Sequence, residues 1–132
     1  MAAKKSERAL VDEWRGVLAL HARTICELDR ELHRHGLGAS DFEVLDVLAE
    51  NPGEGDCSFR VQELASRVHL SQSALSRLVA RLEKDGLVTR GMCSEDRRGV
   101  RVALTEAGRA RHAEVQPLQR AVLSRMLANP TA

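Results

Sequence analysis

The 132-residue sequence has no tyrosine, and its aromatic residues are Trp14, Phe42 and Phe59 alone. A core must therefore be built mainly from leucine, valine and alanine, a mixture that favours helices over an all-β fold. Cysteine is scarce: Cys26, Cys57 and Cys93 are odd in number, far apart and in no CxxC pair. That spacing argues against a disulfide framework and against a thiolate zinc cluster, and reduced thiols are expected. No window approaches the length of a membrane span, and no apolar stretch follows Lys4 and Lys5, so a soluble, cytoplasmic protein is expected. Also missing are a nucleophile with its base, a phosphate-cradling glycine loop and a metal-ligand set. Neither an enzyme nor a cofactor is therefore expected.

Charge is plentiful, 30% of the residues, yet the net balance is only +1. It is unevenly spread. Residues 41–66 hold seven acids against Arg60, whereas residues 67–101 hold eight bases against four acids. A local basic surface on a near-neutral protein is what a face for duplex nucleic acid needs, because each neutralised phosphate releases a counterion. A merely solvated charged surface would show the same bias, so charge alone does not decide.

The length is that of one domain, taken as residues 1–132. Leu10, Trp14, Val17, Leu18, His21, Ile25, Leu28 and Leu32 recur in steps of three and four, which predicts a long helix from Ser6 to His35, closed by Gly36 and Gly38. Ser40 with Glu43 three residues on reads as a capping box opening a second helix to about Glu50. Asn51, Pro52, Gly53 and Gly55 then mark a loop. A last helix starts at Thr105, with Ala110, Val115, Leu118, Val122 and Met126 on one face and a kink expected at Pro117. The end helices, 6–36 and 105–128, carry more apolar face than so small a domain covers, and a second chain is the natural cover. Packing of the two on each other within one chain is the alternative.

Between them, VQELASRVHLSQSALSRLVARLEKDG (Val61–Gly86) has the spacing of a helix-turn-helix. Leu64, Val68, Leu70, Leu75 and Leu78 occupy the positions that two steeply crossed short helices bury, and Ala65 is small where they come closest. His69 stands where glycine is usual in the turn, and histidine is enriched at positive φ. Ser71 then caps the second helix. With Leu75, Leu78, Val79 and Leu82 inward, that helix presents Gln72, Ser73, Ser76, Arg77, Ala80, Arg81 and Lys84 outward. Such a face suits the major groove: glutamine reads adenine, arginine reads guanine or holds phosphate, and serine is compact and adaptable.

After Asp85 and Gly86, LVTRGMC and GVRVALT form the strands of a hairpin, with Val100, Val102 and Leu104 alternating to one face and SEDRRG between. Arg97 and Arg98 at its tip fit a minor-groove wing, with Asp96 orienting the Arg98 guanidinium. A solvated tip with a weak ion pair is the plain alternative. The fold class is thus mainly α with a small β-wing: a winged helix-turn-helix over 40–104 between two long dimerisation helices.

The run LSQSALSRLVARLEKDGLVTR, followed by EDRRGVRVALTEAGR, resembles the signature of the MarR family of bacterial repressors in order and spacing. The resemblance covers Ser40 to Arg111 closely, and the first helix in layout only. It implies a sequence-specific, duplex-DNA-binding transcriptional regulator that forms a homodimer on a pseudo-palindromic operator, with a small molecule or oxidant loosening the grip. It places recognition helix 71–85 in the major groove through Ser71, Gln72, Ser73, Ser76 and Arg77, and wing 88–104 in the minor groove through Arg98 held by Asp96. Arg81 and Arg97 complete the expected set. Members usually continue into a further helix that completes the dimer, whereas this chain stops at Asn129-Pro130-Thr131-Ala132, which puts the strength of its dimer in question.

Effector chemistry is thinly specified. Trp14, on the inner face of the first helix, could stack on an aromatic ligand; His21 lies on the same face; Cys26 is a candidate oxidant sensor, although no tyrosine is present to orient a thiolate, and Cys93 is an equal candidate. His33 and His35 project about 200° apart on a helix and cannot share one ion, so no metal site is expected. The competing functional reading is a winged-helix protein-interaction module without DNA contact, which predicts a recognition face and wing free of arginine.

Overall fold

The computed structural model describes residues 4–50, 59–93 and 96–128, with the backbone alone for 92, 93 and 96–99. In chain order the elements are α1 (Glu7–Leu32), a 3-10 turn (His33–His35), α2 (Ala39–Glu50), β1 (Phe59–Arg60), α3 (Val61–Val68), α4 (Gln72–Lys84), β2 (Val88–Cys93), β3 (Asp96–Leu104) and α5 (Glu106–Leu127). Among the described residues no helix is long and apolar enough to cross a membrane. The loop expected at Asn51–Gly55 lies outside the described residues, as does Cys57.

Ser6 caps α1, its hydroxyl accepting from Ala9 N at 3.1 Å, and Gly36 at φ 73° turns the chain away. The entry to α2 differs from expectation. Ser40 is exposed inside the helix and the Ser40–Glu43 box is not formed. Instead Gly38 N donates to Asp41 Oδ2 at 2.7 Å, and Ala39 N donates to Asp29 Oδ1 of α1 at 2.8 Å. Two carboxylates, one from the helix's own first turn and one ten residues upstream, satisfy the first amides, so the helix begins earlier than local signals indicate.

The helix-turn-helix forms, with Leu64, Leu75, Val79 and Leu82 at most 1% exposed, Ala65 buried, and Ser71 Oγ accepting from Ala74 N at 3.1 Å. Val68 and Leu70, expected to be buried, are only half-buried at the edge of the core, beside the turn. His69 closes α3 in the left-handed region at φ 58°, ψ 42°, its amide bonded to Ala65 O. A side chain there is strained against the backbone by about 1 kcal/mol relative to glycine. His69→Gly is therefore expected to stabilise the protein by about 0.3 kcal/mol net of the added unfolded-state freedom, read as a slightly raised thermal midpoint, whereas a β-branched residue there should lower it.

The sheet has the order β1-β3-β2, antiparallel throughout. β1 was not expected: two residues are too short to show a period, but Phe59 pairs opposite Val102 and buries its ring. β2 and β3 pair from Val88↔Leu104 to Met92↔Val100, where the register shifts so that Cys93 faces Asp96. The return strand thus begins at Asp96, three residues before the expected Gly99, and SEDRRG is not a free six-residue tip. Val102 and Leu104 enter the core, while Val100 stays 44% exposed beyond its edge.

Thr105 caps α5, its hydroxyl accepting from Gly108 N at 2.9 Å. The helix runs through Pro117, which stands on an exposed side where water can serve the carbonyl that loses its donor. Val115 and Val122 are buried as expected, whereas Ala110 is exposed because the face turns toward α2 only from His112 onward. Leu28 and Ile25 of α1 pack on Val122, Leu123 and Met126, so the end helices do meet within one chain, over the carboxyl-terminal half of α1. Its other half is bare: Leu10, Trp14, Val17 and Leu18 are 46–59% exposed.

Candidate nucleic-acid interface

Burial of Leu75, Leu78, Val79 and Leu82 fixes the rotation of α4 about its axis and leaves Ser71, Gln72, Ser73, Ser76, Arg77, Ala80 and Lys84 outside. Ser71 Oγ lies 3.3 Å from Ser73 Oγ, so the helix entrance is a small polar surface. Arg77 has no ionic or hydrogen-bonding partner among the described residues. Gln72 and Ser76 form one wall of a groove of about 310 Å³, whose other walls are Arg60, Val61 and Gln62 at the start of α3 and Arg90 and Val100 of the wing. The recognition face and the wing are therefore two sides of one concave surface of mixed polar and apolar lining.

Arg60, Gln62 and Arg90 were missed by sequence reasoning; the groove comes from β3 running beside both β1 and β2. The wing's position is set by Glu83, which accepts from Arg90 N at 3.3 Å and from Arg90 Nε at 3.0 Å, tying the last turn of α4 to β2. Arg67, another base of the positive segment, lies 5.6 Å over the Phe59 ring. Arg81 departs from expectation. Although the residue is exposed, its guanidinium is paired with the buried carboxylate of Asp41 and is not free, as that of Arg77 is among the described residues. The backbone of Asp96, Arg97 and Arg98 belongs to β3, while their side chains, and with them the expected Asp96–Arg98 pair, lie outside the described residues.

A second cleft, of about 590 Å³, opens between His21, Ile25 and Leu28 of α1, Ala39 and Glu43 of α2, and Val68, His69 and Leu70 at the turn leading to α4. Of the three effector candidates, only His21 lines it. Trp14, 59% exposed, is on an outer face and not an inner one, in the half of α1 that the chain leaves bare, and Cys26 is exposed. The Glu43 carboxyl is held above its ordinary value of 4.5, by burial first and then by Asp46 and Glu50, with Arg120 opposing. Folding thus favours its protonated form: that contribution is present below the unfolded value and lost as pH rises through the folded one. Glu43→Gln should raise the thermal midpoint modestly at pH 7, since water screens part of the repulsion, and the gain should vanish below about pH 4.

Comparisons with known proteins agree with this geometry. A family model described as the MarR family matches residues 35–99. The chain is similar to AbsC, a MarR family transcriptional regulator from Streptomyces coelicolor, at 30% identity and a TM-score of 0.80, over 99% of this chain and 86% of that one. Similarity to Sco3205, a MarR family regulator of the same organism solved in complex with DNA, is 28% with a TM-score of 0.81, over 99% and 81%. The curated HTH-type transcriptional repressor MdtR of Bacillus subtilis (strain 168) is 26% identical over 94% of this chain and 77% of its own length. Matches to further curated relatives span about half of their length.

Proposed function

The chain belongs to the MarR family of transcriptional regulators, and on that premise we propose that it is a sequence-specific duplex-DNA-binding repressor acting as a homodimer on a pseudo-palindromic operator. The observation that carries this reading is the outer face of α4: a polar, basic surface whose opposite side is locked in the core and whose flank faces the wing across a single groove. Ser71, Gln72, Ser73, Ser76 and Arg77 enter the major groove with the amino-terminal end of α4 leading. The wing, through Arg97, Arg98 and Asp96, follows the adjacent minor groove. α1 and α5 join two protomers, and the bare apolar stripe from Leu10 to Leu18 is the surface that a second copy covers. The protein acts by occupancy and not by catalysis, in the cytoplasm where the DNA is. The cleft beside His21 admits a small-molecule effector, which would shift α1 against the turn that leads into α4.

Selection of bound duplexes from a random library, with the mass of the complex measured on the winners, tests the reading. A two-fold related site bound by two chains is expected. A monomer that enriches nothing would instead make the winged helix an interaction module for another protein. On the selected site, Arg77→Ala is expected to weaken binding about tenfold and to lower the salt slope by about one per protomer, two in a symmetric dimer. Unchanged affinity and slope would remove α4's outer face from the interface.

A further inference from the structure

Arg81 is the base of α4 that the outer face does not explain. It follows Arg77 by one turn, about 6 Å along the axis and about 40° around it, but unlike Arg77 its guanidinium is engaged by another helix. Its guanidinium meets Asp41 Oδ1, and that carboxylate is almost wholly enclosed, its side chain 8% exposed against 56% for Arg81. The other oxygen, Oδ2, accepts from Gly38 N at 2.7 Å and so caps α2. Next to it, Asp29 of α1 accepts from Ala39 N at 2.8 Å. The turn is closely filled: a Cβ added at Gly38 would lie 3.3 Å from Asp29 Oδ1 and 3.5 Å from Asp41 Oδ2. Three helices therefore meet at two carboxylates, and α4 is the one attached through a charge-assisted bond from its last turn. Elsewhere α4 packs mainly on α3 and β2.

From this junction we infer that Arg81 is a positioning residue and not a DNA contact: through Asp41 it braces the carboxyl-terminal end of the recognition helix against α2 and sets the angle at which Gln72, Ser76 and Arg77 are offered to the groove. The inference rests on the DNA-binding reading above for its consequence, but on the Asp41–Arg81 contact for its geometry. Two mechanisms for the same arginine give opposite results when its partner is changed. Asp41→Asn alters nothing on the DNA-facing surface, so a phosphate-contacting Arg81 would bind as before or better once released. A bracing Arg81 would lose its anchor.

The experiment uses the full chain, Arg81→Gln, Asp41→Asn and the double variant. Affinity for the selected duplex and for random duplex is measured across a salt series, and amide exchange over Gln72–Lys84 is followed without DNA. The expected result is a loss of about tenfold in specific affinity for each single variant, in line with a lost charged hydrogen bond. The double variant should be no worse, the ratio of specific to non-specific binding should fall by the same factor, and the salt slope should stay unchanged. A merely destabilised protein would lower both affinities together and leave that ratio alone. Exchange should quicken over the last turns of α4 in both single variants. A salt slope lowered by about two per dimer in Arg81→Gln, with Asp41→Asn at wild-type affinity, would overturn the assignment in favour of a phosphate contact. If the wild type prefers no duplex, the regulatory reading falls, and the exchange arm still decides: unchanged protection in both variants would sink the brace by itself.

Discussion

Replacing Gly108 with alanine should lower the stability of this protein by about 3 kcal/mol and its thermal midpoint by roughly 10 °C. Helix propensity alone predicts the opposite sign, since alanine is favoured over glycine in a helix interior by about 1 kcal/mol. The local geometry decides. A Cβ at this position would lie 2.0 Å from the carbonyl oxygen of Leu87, 3.0 Å from its carbonyl carbon and 3.1 Å from Leu104 Cδ2. The first two are backbone, and that backbone is not free to yield: Leu87 O accepts from Thr105 N at 3.1 Å, and Thr105 Oγ1 donates to Gly86 O at 2.6 Å. Gly108 lets the first turn of α5 lie directly on the turn that follows the recognition helix. Thermal unfolding at fixed protein concentration is the check, because a coupled dimer would make the midpoint depend on concentration. A midpoint at or above wild type would mean that the start of α5 relaxes outward and that propensity, not contact, governs the site.

The parts of this fold that could be read from the chain are those encoded by neighbours. The buried run of Leu75, Leu78, Val79 and Leu82 repeats within two turns of helix, Ser71 sits three residues from the amide it caps, and His69 signals its own conformation. The outer face of α4 followed from the inner one, and Gln72, Ser73, Ser76 and Arg77 are all exposed on it. What escaped is encoded at long range. The cap of α2 is shared by Asp41 and, from ten residues upstream, Asp29, which together displaced the local Ser40–Glu43 pattern. The partners of Arg81 and Arg120 are acids 40 and 74 residues away, and a count of charge by segment made surface of what are internal ties. Two of the seven acids in residues 41–66, Asp41 and Asp46, are of this kind, both buried. Gly108 gave no signal, because glycine in a helical pattern reads as weakness until the element that approaches it is known. Trp14 was misread for the complementary reason: an amphipathic stripe shows which face wants cover, not whether the cover comes from the same chain.

Asp46→Ala should have the second large effect, a loss of about 3 kcal/mol, the lower end of what breaking a buried ion pair from one side produces. Asp46 is 5% exposed and both its oxygens are used. Oδ1 accepts from His112 Nε2 at 2.7 Å and from one terminal nitrogen of Arg120 at 3.1 Å, and Oδ2 accepts from the other at 3.1 Å. The arrangement is held on each side. The His112 ring stacks on Phe42 at 5.3 Å between centroids and 11° between planes, and Gln119 Oε1 accepts from Arg120 at 2.6 Å. Removing the carboxylate strands two donors in a space shaped for an acceptor. Arg120 remains 43% exposed and can turn to water, which is why the lower end of the range applies, but His112, 12% exposed, cannot do so without giving up Phe42. Asp46→Asn, which keeps one acceptor, should lose about half as much, and pairing Asp46→Leu with Arg120→Met should recover only the share lost at Arg120, because His112 Nε2 would still face no acceptor. A thermal midpoint for Asp46→Ala within a degree of wild type would show that the network adds nothing net. The consequence reaches beyond stability, because these bonds fix α5 against α2. In a dimer assembled through α1 and α5, they fix each recognition helix relative to the two-fold axis. Half-sites one helical turn apart, about 34–36 Å, tolerate little error in that distance. Asp46→Ala, assayed well below its melting temperature, should therefore discriminate less between operators of different half-site spacing than the wild type does.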